Sequence, residues 1–190
     1  SIERSFHASC VYDKKIFVFG GFTSNGIEDD GSTHTKKVSS VEVYDPVTNQ
    51  WAAMSSMSKA NWGMSCVTVN DLIYVIGGAE NERGYMVYSP SLDSWQGSGT
   101  LNIPRRYGFS TSVIEGMIYV MGGYQCTSGC KKLDSVDVLD PVNANWVAKT
   151  SIPREPNNLG DIGSVAVNNK VYTFGDTESI LIYDPSIDTK

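Results

Sequence analysis

Residues 16–21, IFVFGG, return as residues 73–78, IYVIGG, and again as residues 118–123, IYVMGG. A fourth, altered copy reads VYTFGD at residues 171–176. Each copy is a run of β-branched and aromatic side chains that stops on glycine. It predicts a buried strand ending where the backbone needs unusual torsions or close approach of a neighbour. The unit to be explained is therefore a repeat.

The first glycines, Gly20, Gly77, Gly122 and Gly175, stand 57, 45 and 53 residues apart, a period belonging to propeller blades or solenoid units. Part of the unit is rigid. Tyr44 to Trp51, Tyr88 to Trp95 and Leu139 to Trp146 are each seven residues, and each tryptophan precedes the next glycine by 26, 27 or 29. The variation lies between a glycine and its following tryptophan, at 31, 18 and 24 residues, so one connection per repeat takes the insertions.

Period-two alternation predicts four strands per unit; in the third unit they are residues 109–114, 117–121, 135–139 and 145–149. Asp13-Lys14, Asn70-Asp71, Glu115-Gly116 and Asn168-Asn169 predict tight hairpins between first and second strands. Asp45-Pro46, Asp140-Pro141 and Asp184-Pro185, with Ser89-Pro90 as a variant, predict the turn after the third strand. With no helical period in the chain, each unit is a twisted antiparallel sheet that must stack on neighbours.

The glycine pair, the Tyr-Asp-Pro turn and the tryptophan seven residues after the tyrosine resemble the kelch repeat, over nearly the whole chain. The resemblance implies an all-β, kelch-type β-propeller fragment of about three and a half four-stranded antiparallel blades. In phase, the blades fall at residues 1–57, 58–101 and 102–152, with an incomplete fourth at 153–190. Asp176 replaces the second glycine of the last copy, and Lys190 stands where its tryptophan would be. Open sheet edges left by a partial propeller predict the remaining blades of the same parent protein as partners.

Gly20, Gly21, Trp51, Gly77, Gly78, Trp95, Gly122, Gly123, Trp146 and Gly175 are read as the structural repeat, with the tryptophans packing between blades. Trp62 lies outside the pattern and is either an exposed contact or core packing.

The chain has 190 residues, 41% hydrophobic, and a formal net charge of −6, which argues against nucleic acid or an anionic membrane as partner. Apolar runs reach only strand length, so neither a membrane span nor a signal peptide is expected. Four cysteines are too few for a disulfide framework; Cys126 and Cys130 are read as loop thiols, Cys10 and Cys66 as small buried hydrophobes, in a cytoplasmic setting. Two scattered histidines, His7 and His34, give no metal site, and no cofactor is expected. The copper oxidases of the kelch family need histidine and tyrosine ligands gathered at one end of the channel. No nucleophile-and-base motif or phosphate-cradling glycine loop occurs, so the protein is read as non-enzymatic.

Up-and-down strands put the variable loops and the blade entries on one face. That face predicts a protein-binding surface comprising Arg4, Glu28, Asp29, Asp30, Lys36, Lys37, Trp62, Arg105, Arg106 and Tyr107. In kelch substrate receptors the residue aligned with Arg106, and by register with Arg4, is often an arginine that pairs acidic peptide side chains; here Asn61 and Leu159 hold the other two matching positions. The resemblance implies two partner classes, actin filaments of the cytoskeleton or the substrate of a cullin-ring ubiquitin-ligase adaptor.

Overall fold

A computed structural model describes residues 2–27, 33–105, 107–126, 129–152, 160–175 and 180–187. The chain opens with β1 (Ala8–Tyr12) and β2 (Lys15–Phe19), continues through the hairpin β3 (Phe22–Ile27) and β4 (Thr33–Lys37), and returns with β5 (Val41–Asp45) and β6 (Gln50–Met54). A second unit holds β7 (Ser65–Val69), β8 (Leu72–Ile76), β9 (Gly84–Ser89) and β10 (Ser94–Thr100). The third holds β11 (Tyr107–Ile114), β12 (Met117–Gln125), the short β13 (Lys131–Lys132), β14 (Val136–Asp140) and β15 (Asn145–Lys149). The last holds β16 (Gly163–Val167), β17 (Lys170–Phe174) and β18 (Leu181–Tyr183).

Hydrogen bonding sorts these into meandering antiparallel sheets, β1-β2-β5-β6, β7-β8-β9-β10, β11-β12-β14-β15 and β16-β17-β18. Neighbouring sheets meet along their first strands, the blade arrangement of a propeller. Hydroxyls stitch those strands together: Ser65 with Thr111 at 2.6 Å, Ser112 with Ser164 at 2.8 Å, and Thr68 donating to the Val11 carbonyl at 2.8 Å.

The turns follow from their residues. Asp13-Lys14, Asn70-Asp71 and Asn168-Asn169 hold left-handed torsions at both positions, the type I′ geometry that matches strand twist. Asp45 and Asp140 each accept two backbone N–H bonds from the turn they open, from Val47 and Thr48 and from Val142 and Asn143.

The core consists of three layers, one between each pair of adjacent sheets: around Phe19, Ile73 and Tyr88, around Ile76, Ile118 and Leu139, and around Met121, Val136 and Val171. Gly20 (φ 58°) and Gly77 (φ 63°) explain the glycine requirement. A Cβ on Gly20 would lie 2.4 Å from the Asn61 carbonyl of the next blade, and one on Gly77 would lie 2.7 Å from that of Arg105, so blades could not close on each other.

The tryptophans behave differently from one another. Trp95 packs on Phe19 and donates its indole N–H to the carbonyls of Ser55 and Ser56, while Trp146 donates to that of Thr100, each reaching into the preceding blade. Trp51, at the same register, is 41% exposed and among the described residues has one ring contact, Tyr44 of its own sheet, which corrects the expectation of inter-blade packing for that copy: no described sheet precedes it.

Asp93 ties the first two blades, its Oδ1 accepting from the Tyr88 hydroxyl at 2.5 Å and from the Ser55 N–H at 2.7 Å. The tyrosine hydroxyl first, then the Ser55 N–H, outweigh burial and hold the Asp93 carboxyl below its ordinary value. A carboxyl lowered in the folded state contributes stability that is present above its ordinary pKa of about 4 and lost as pH falls through the lower folded value. Asp93→Asn is therefore expected to make the fall of the urea midpoint below about pH 4 shallower. Unchanged steepness in a pH series of urea titrations would count against this bond.

Two sequence expectations change here. The variable connections are not plain loops: β3–β4 and β12–β13 are hairpins, pairing Phe22 with Lys37 and Tyr124 with Lys132. Cys126 and Cys130 are not loop thiols but a disulfide, because the pairing of Gln125 with Lys131 brings their Cα atoms to 4.0 Å across that second hairpin. Too few cysteines for a framework does not exclude one local bridge, and the bridge removes the support that free thiols gave to a reducing compartment. Cys66 is buried and Cys10 partly so; both are free.

Candidate functional site

The face bearing the β3–β4 and β12–β13 hairpins also carries the blade entries. Two kinds of residue share it, and the sequence did not separate them.

The first kind is buried. Arg105 is fully buried and paired with Asp137 at 2.6 Å, both side chains inaccessible. It also donates to the carbonyls of Gly122, Ile103, Val120 and Ser135. Burial pulls the guanidinium's pKa down, and the Asp137 carboxylate opposes that shift. Arg4 does the same in the first blade, donating to the Gly20 carbonyl at 2.9 Å and the Ser40 carbonyl at 3.2 Å and pairing with Glu42 at 2.5 Å. Asn61 completes the series with a neutral amide: its Nδ2 donates to the Gly77 carbonyl at 2.9 Å, and its Oδ1 accepts from the N–H groups of Trp62 and Glu80.

The expected partner-binding roles of Arg4 and Arg105 are corrected accordingly. In each of the first three blades a side chain donates to the carbonyl of the first glycine, and Arg4 and Arg105 are spent on that need. The register also shifts: Asn61 stands three residues ahead of Met64, whereas Arg105, not Arg106, does the same work four ahead of Phe109. Arg106, Leu159, Glu28, Asp29, Asp30 and Asp176 lie outside the described residues.

The second kind is a row of aromatic rings. Phe6 packs edge-on to Phe22 and to Trp62, with centroids 6.4 and 5.8 Å apart. Trp62 sits 5.0 Å from Phe22 and stacks on Tyr107 at 5.6 Å, and Tyr107 lies 4.8 Å from Tyr124. The row crosses three blades. Trp62 is thus neither an isolated contact nor core but the centre of this row. The Tyr107 hydroxyl donates to the disulfide sulfur of Cys130 at 3.8 Å, and Lys132 lies over the Tyr124 ring at 5.7 Å.

Phe6 is 62% exposed and held at φ 52°, in a place where the next two blades use Gly63 and Gly108, at φ 70° and 71°. A bulky residue in the left-handed region is strained, and strain is retained where a side chain is needed in a set position. Sequence reasoning missed Phe6, and it placed Phe22 and Tyr124 on this face only as the first residues of the variable inserts 22–39 and 124–132, without singling them out. The available signal was that aromatic residues follow the glycine pair in the first and third copies and alanine in the second.

Lys37 pairs with Glu80 of the second blade, and Lys59 pairs with the same carboxylate at 3.4 Å; the two lysines hold Glu80 below its ordinary pKa, Lys37 most. Lys36 is exposed on β4. A cavity of about 250 Å³ lined by Lys59, Asn61, Glu80, Asn81 and Met86 opens beside this cluster. Among the described residues no group of three or more His, Cys, Asp or Glu is placed to hold a metal, and no helix is long and apolar enough to cross a membrane.

Comparison with known proteins finds the family model described as the kelch motif at residues 3–58 and 105–151. Beta-scruin of Limulus polyphemus is 30% identical over 99% of this chain, which covers 21% of that protein. An F-box/kelch-repeat protein of Arabidopsis thaliana is 27% identical over 90% of the chain and 47% of its own length, and Kelch-like protein 36 of Bos taurus 29% over 67% and 20%. The solved structure of YjhT superposes with a TM-score of 0.69 at 19% identity, over 90% of this chain and 58% of that one, a likeness of fold. The chain thus spans less than half the length of these curated relatives.

Proposed function

Because the chain belongs to the kelch-repeat family, we propose that it is a non-enzymatic module that binds a protein partner through the face formed by the β3–β4 and β12–β13 hairpins and the blade entries. The observation that carries this reading is the aromatic row, above all Phe6, exposed at a backbone cost its counterparts avoid with glycine. Aromatic side chains concentrate binding energy at interfaces, and loops on a rigid scaffold are where such surfaces are built.

The partner proposed first is the actin filament, with a cytoskeletal place in the cytoplasm; similarity to Beta-scruin along nearly the whole chain supports it. The alternative is a substrate of a ubiquitin-ligase adaptor, supported by similarity to a kelch repeat and BTB domain-containing protein. Further blades of the parent polypeptide are proposed to cover the end sheets, where Trp51 on one side and Val165, Val167 and Ile182 on the other are exposed.

Co-sedimentation of the intact parent with filamentous actin tests the first partner. The parent is expected in the pellet, and replacing residues 22–39 by a short Gly/Ser turn is expected to leave it in the supernatant. A parent that stays in the supernatant from the start removes actin and leaves the adaptor alternative.

A further inference from the structure

The first strands of the first two blades hold two free thiols against each other. Along β1, Ala8 and Cys10 turn toward the second blade and join the apolar layer around Phe19; along β7, Cys66 turns back into the same layer, two residues after Met64. Thr68, two residues further along β7, donates to the Val11 carbonyl at 2.8 Å, which fixes how the two strands lie together. At this junction the Cys66 thiol hydrogen-bonds the Cys10 sulfur.

The repeat supplies the same contact a second time, in oxygen. Cys10 and Ser112 each stand two residues before the end of their first strand, β1 or β11, and Cys66 and Ser164 each stand three before the end of theirs, β7 or β16. Ser112 and Ser164 meet across the third and fourth sheets at 2.8 Å. At the junction between them the same positions hold Val67 and Thr111, and Thr111 bonds Ser65 instead. One position of the repeat thus joins blade to blade, and in the first described junction both members are oxidisable. The third blade shows that this chain can hold a pair of its sulfurs oxidised, at Cys126 and Cys130.

We propose that Cys10 and Cys66 are an oxidation site, at which a small hydroperoxide converts the two thiols to a disulfide that fastens the first blade to the second. The inference goes beyond the protein-binding reading and does not rest on it. Cys66 is buried; that burial first, and then its bond to Cys10, keep it protonated and push its pKa up. Cys10 is only half-buried and is therefore the sulfur that peroxide reaches. Its thiolate attacks one peroxide oxygen, the O–O bond breaks, and the departing hydroxide takes up a proton as water, leaving a sulfenic acid on Cys10. The Cys66 sulfur then attacks the Cys10 sulfur, the S–O bond breaks, and hydroxide leaves with the Cys66 proton as a second water. The two sulfurs lose two electrons, and the peroxide gains them.

The test uses the intact parent, folded, treated with hydrogen peroxide and quenched. Remaining thiols are blocked with iodoacetamide in urea, and the chain is cut with trypsin without reductant. Cleavage after Arg4, Lys14, Lys59 and Arg83 leaves Cys10 in residues 5–14 and Cys66 in residues 60–83. Mass spectrometry is expected to find these two peptides joined after treatment, two hydrogen atoms lighter than their sum, and separate again after dithiothreitol. The bridged protein is expected to unfold at a urea midpoint higher by about 1 M or more, because the bridge closes a long loop. Cys66→Ser is expected to leave a sulfenic acid on Cys10 that dimedone traps, whereas Cys10→Ser is expected to leave Cys66 unmarked; both place serine where Ser112 and Ser164 already meet. The linkage itself is read on the unaltered chain, so it stands as a test even if a variant fails to fold. Recovery of both peptides unlinked, linkage that forms only when peroxide is added in urea, or an unmoved midpoint in the bridged form would overturn the proposal, and dimedone on Cys66 would overturn the order of attack.

Discussion

Arg105→Met is expected to destabilise the fold by about 3–5 kcal/mol, because it strands the Asp137 carboxylate in a site without solvent. Among the described residues Asp137 would keep only the Asn102 amide, which donates to its other oxygen at 2.9 Å, and the carbonyls of Gly122, Val120 and Ser135 would lose a donor. The loss is a large part of the roughly 5–15 kcal/mol that holds an ordinary domain together. Removing both charges, as Arg105→Met with Asp137→Leu, is expected to recover much of it, since an apolar pair of similar volume costs less than a lone buried charge. Urea denaturation of the single and the double variant beside the unaltered chain is the measurement. A single-variant loss below about 1 kcal/mol would mean that the pair is solvated, and would return Arg105 to the binding surface from which its burial removes it.

The contrast between Arg105 and Trp62 shows what the sequence could and could not disclose. Spacing revealed the blades because backbone geometry imposes it: a strand can end on the next blade's carbonyl only where there is no Cβ, so Gly20 and Gly77 recur, and turns such as Asn70-Asp71 need residues that tolerate left-handed torsions. The donor for the glycine carbonyl is less restricted, since an arginine in two blades and an asparagine in another all reach it. Its chemistry therefore leaves no fixed letter, and an arginine near a blade entry reads as a surface charge.

The aromatic row was hidden for another reason. Phe6, Phe22, Trp62, Tyr107 and Tyr124 are far apart in the chain and occupy different positions of the repeat, and they meet only once three blades stack. Trp62 and Tyr107 were identifiable as unusual at their blade entries, but not as neighbours. The disulfide was hidden by the same kind of gap, since it depends on the second hairpin's register rather than on cysteine number.

Trp95→Ala carries the other large expected effect, about 3–5 kcal/mol, as for large aromatic side chains removed from a core. The indole touches two blades: its ring lies 6.1 Å from Phe19 and 5.1 Å from Tyr88, and its N–H reaches the carbonyls of Ser55 and Ser56 at 3.1 and 2.9 Å. Trp95→Phe separates these terms, keeping much of the ring's area while leaving the two carbonyls without their donor, and is expected to cost about 1–2 kcal/mol. Trp51→Ala supplies the comparison. In the chain described here its ring is 41% exposed, so its loss is expected to cost less than about 1 kcal/mol. In the longer parent, a preceding blade would cover it as the second and third tryptophans cover their neighbours, and the cost would rise toward that of Trp95→Ala. Urea unfolding of both variants in both lengths decides the matter. A Trp51→Ala cost that stays small in the parent would mean that no blade packs on this end, and would overturn the proposed continuation of the propeller.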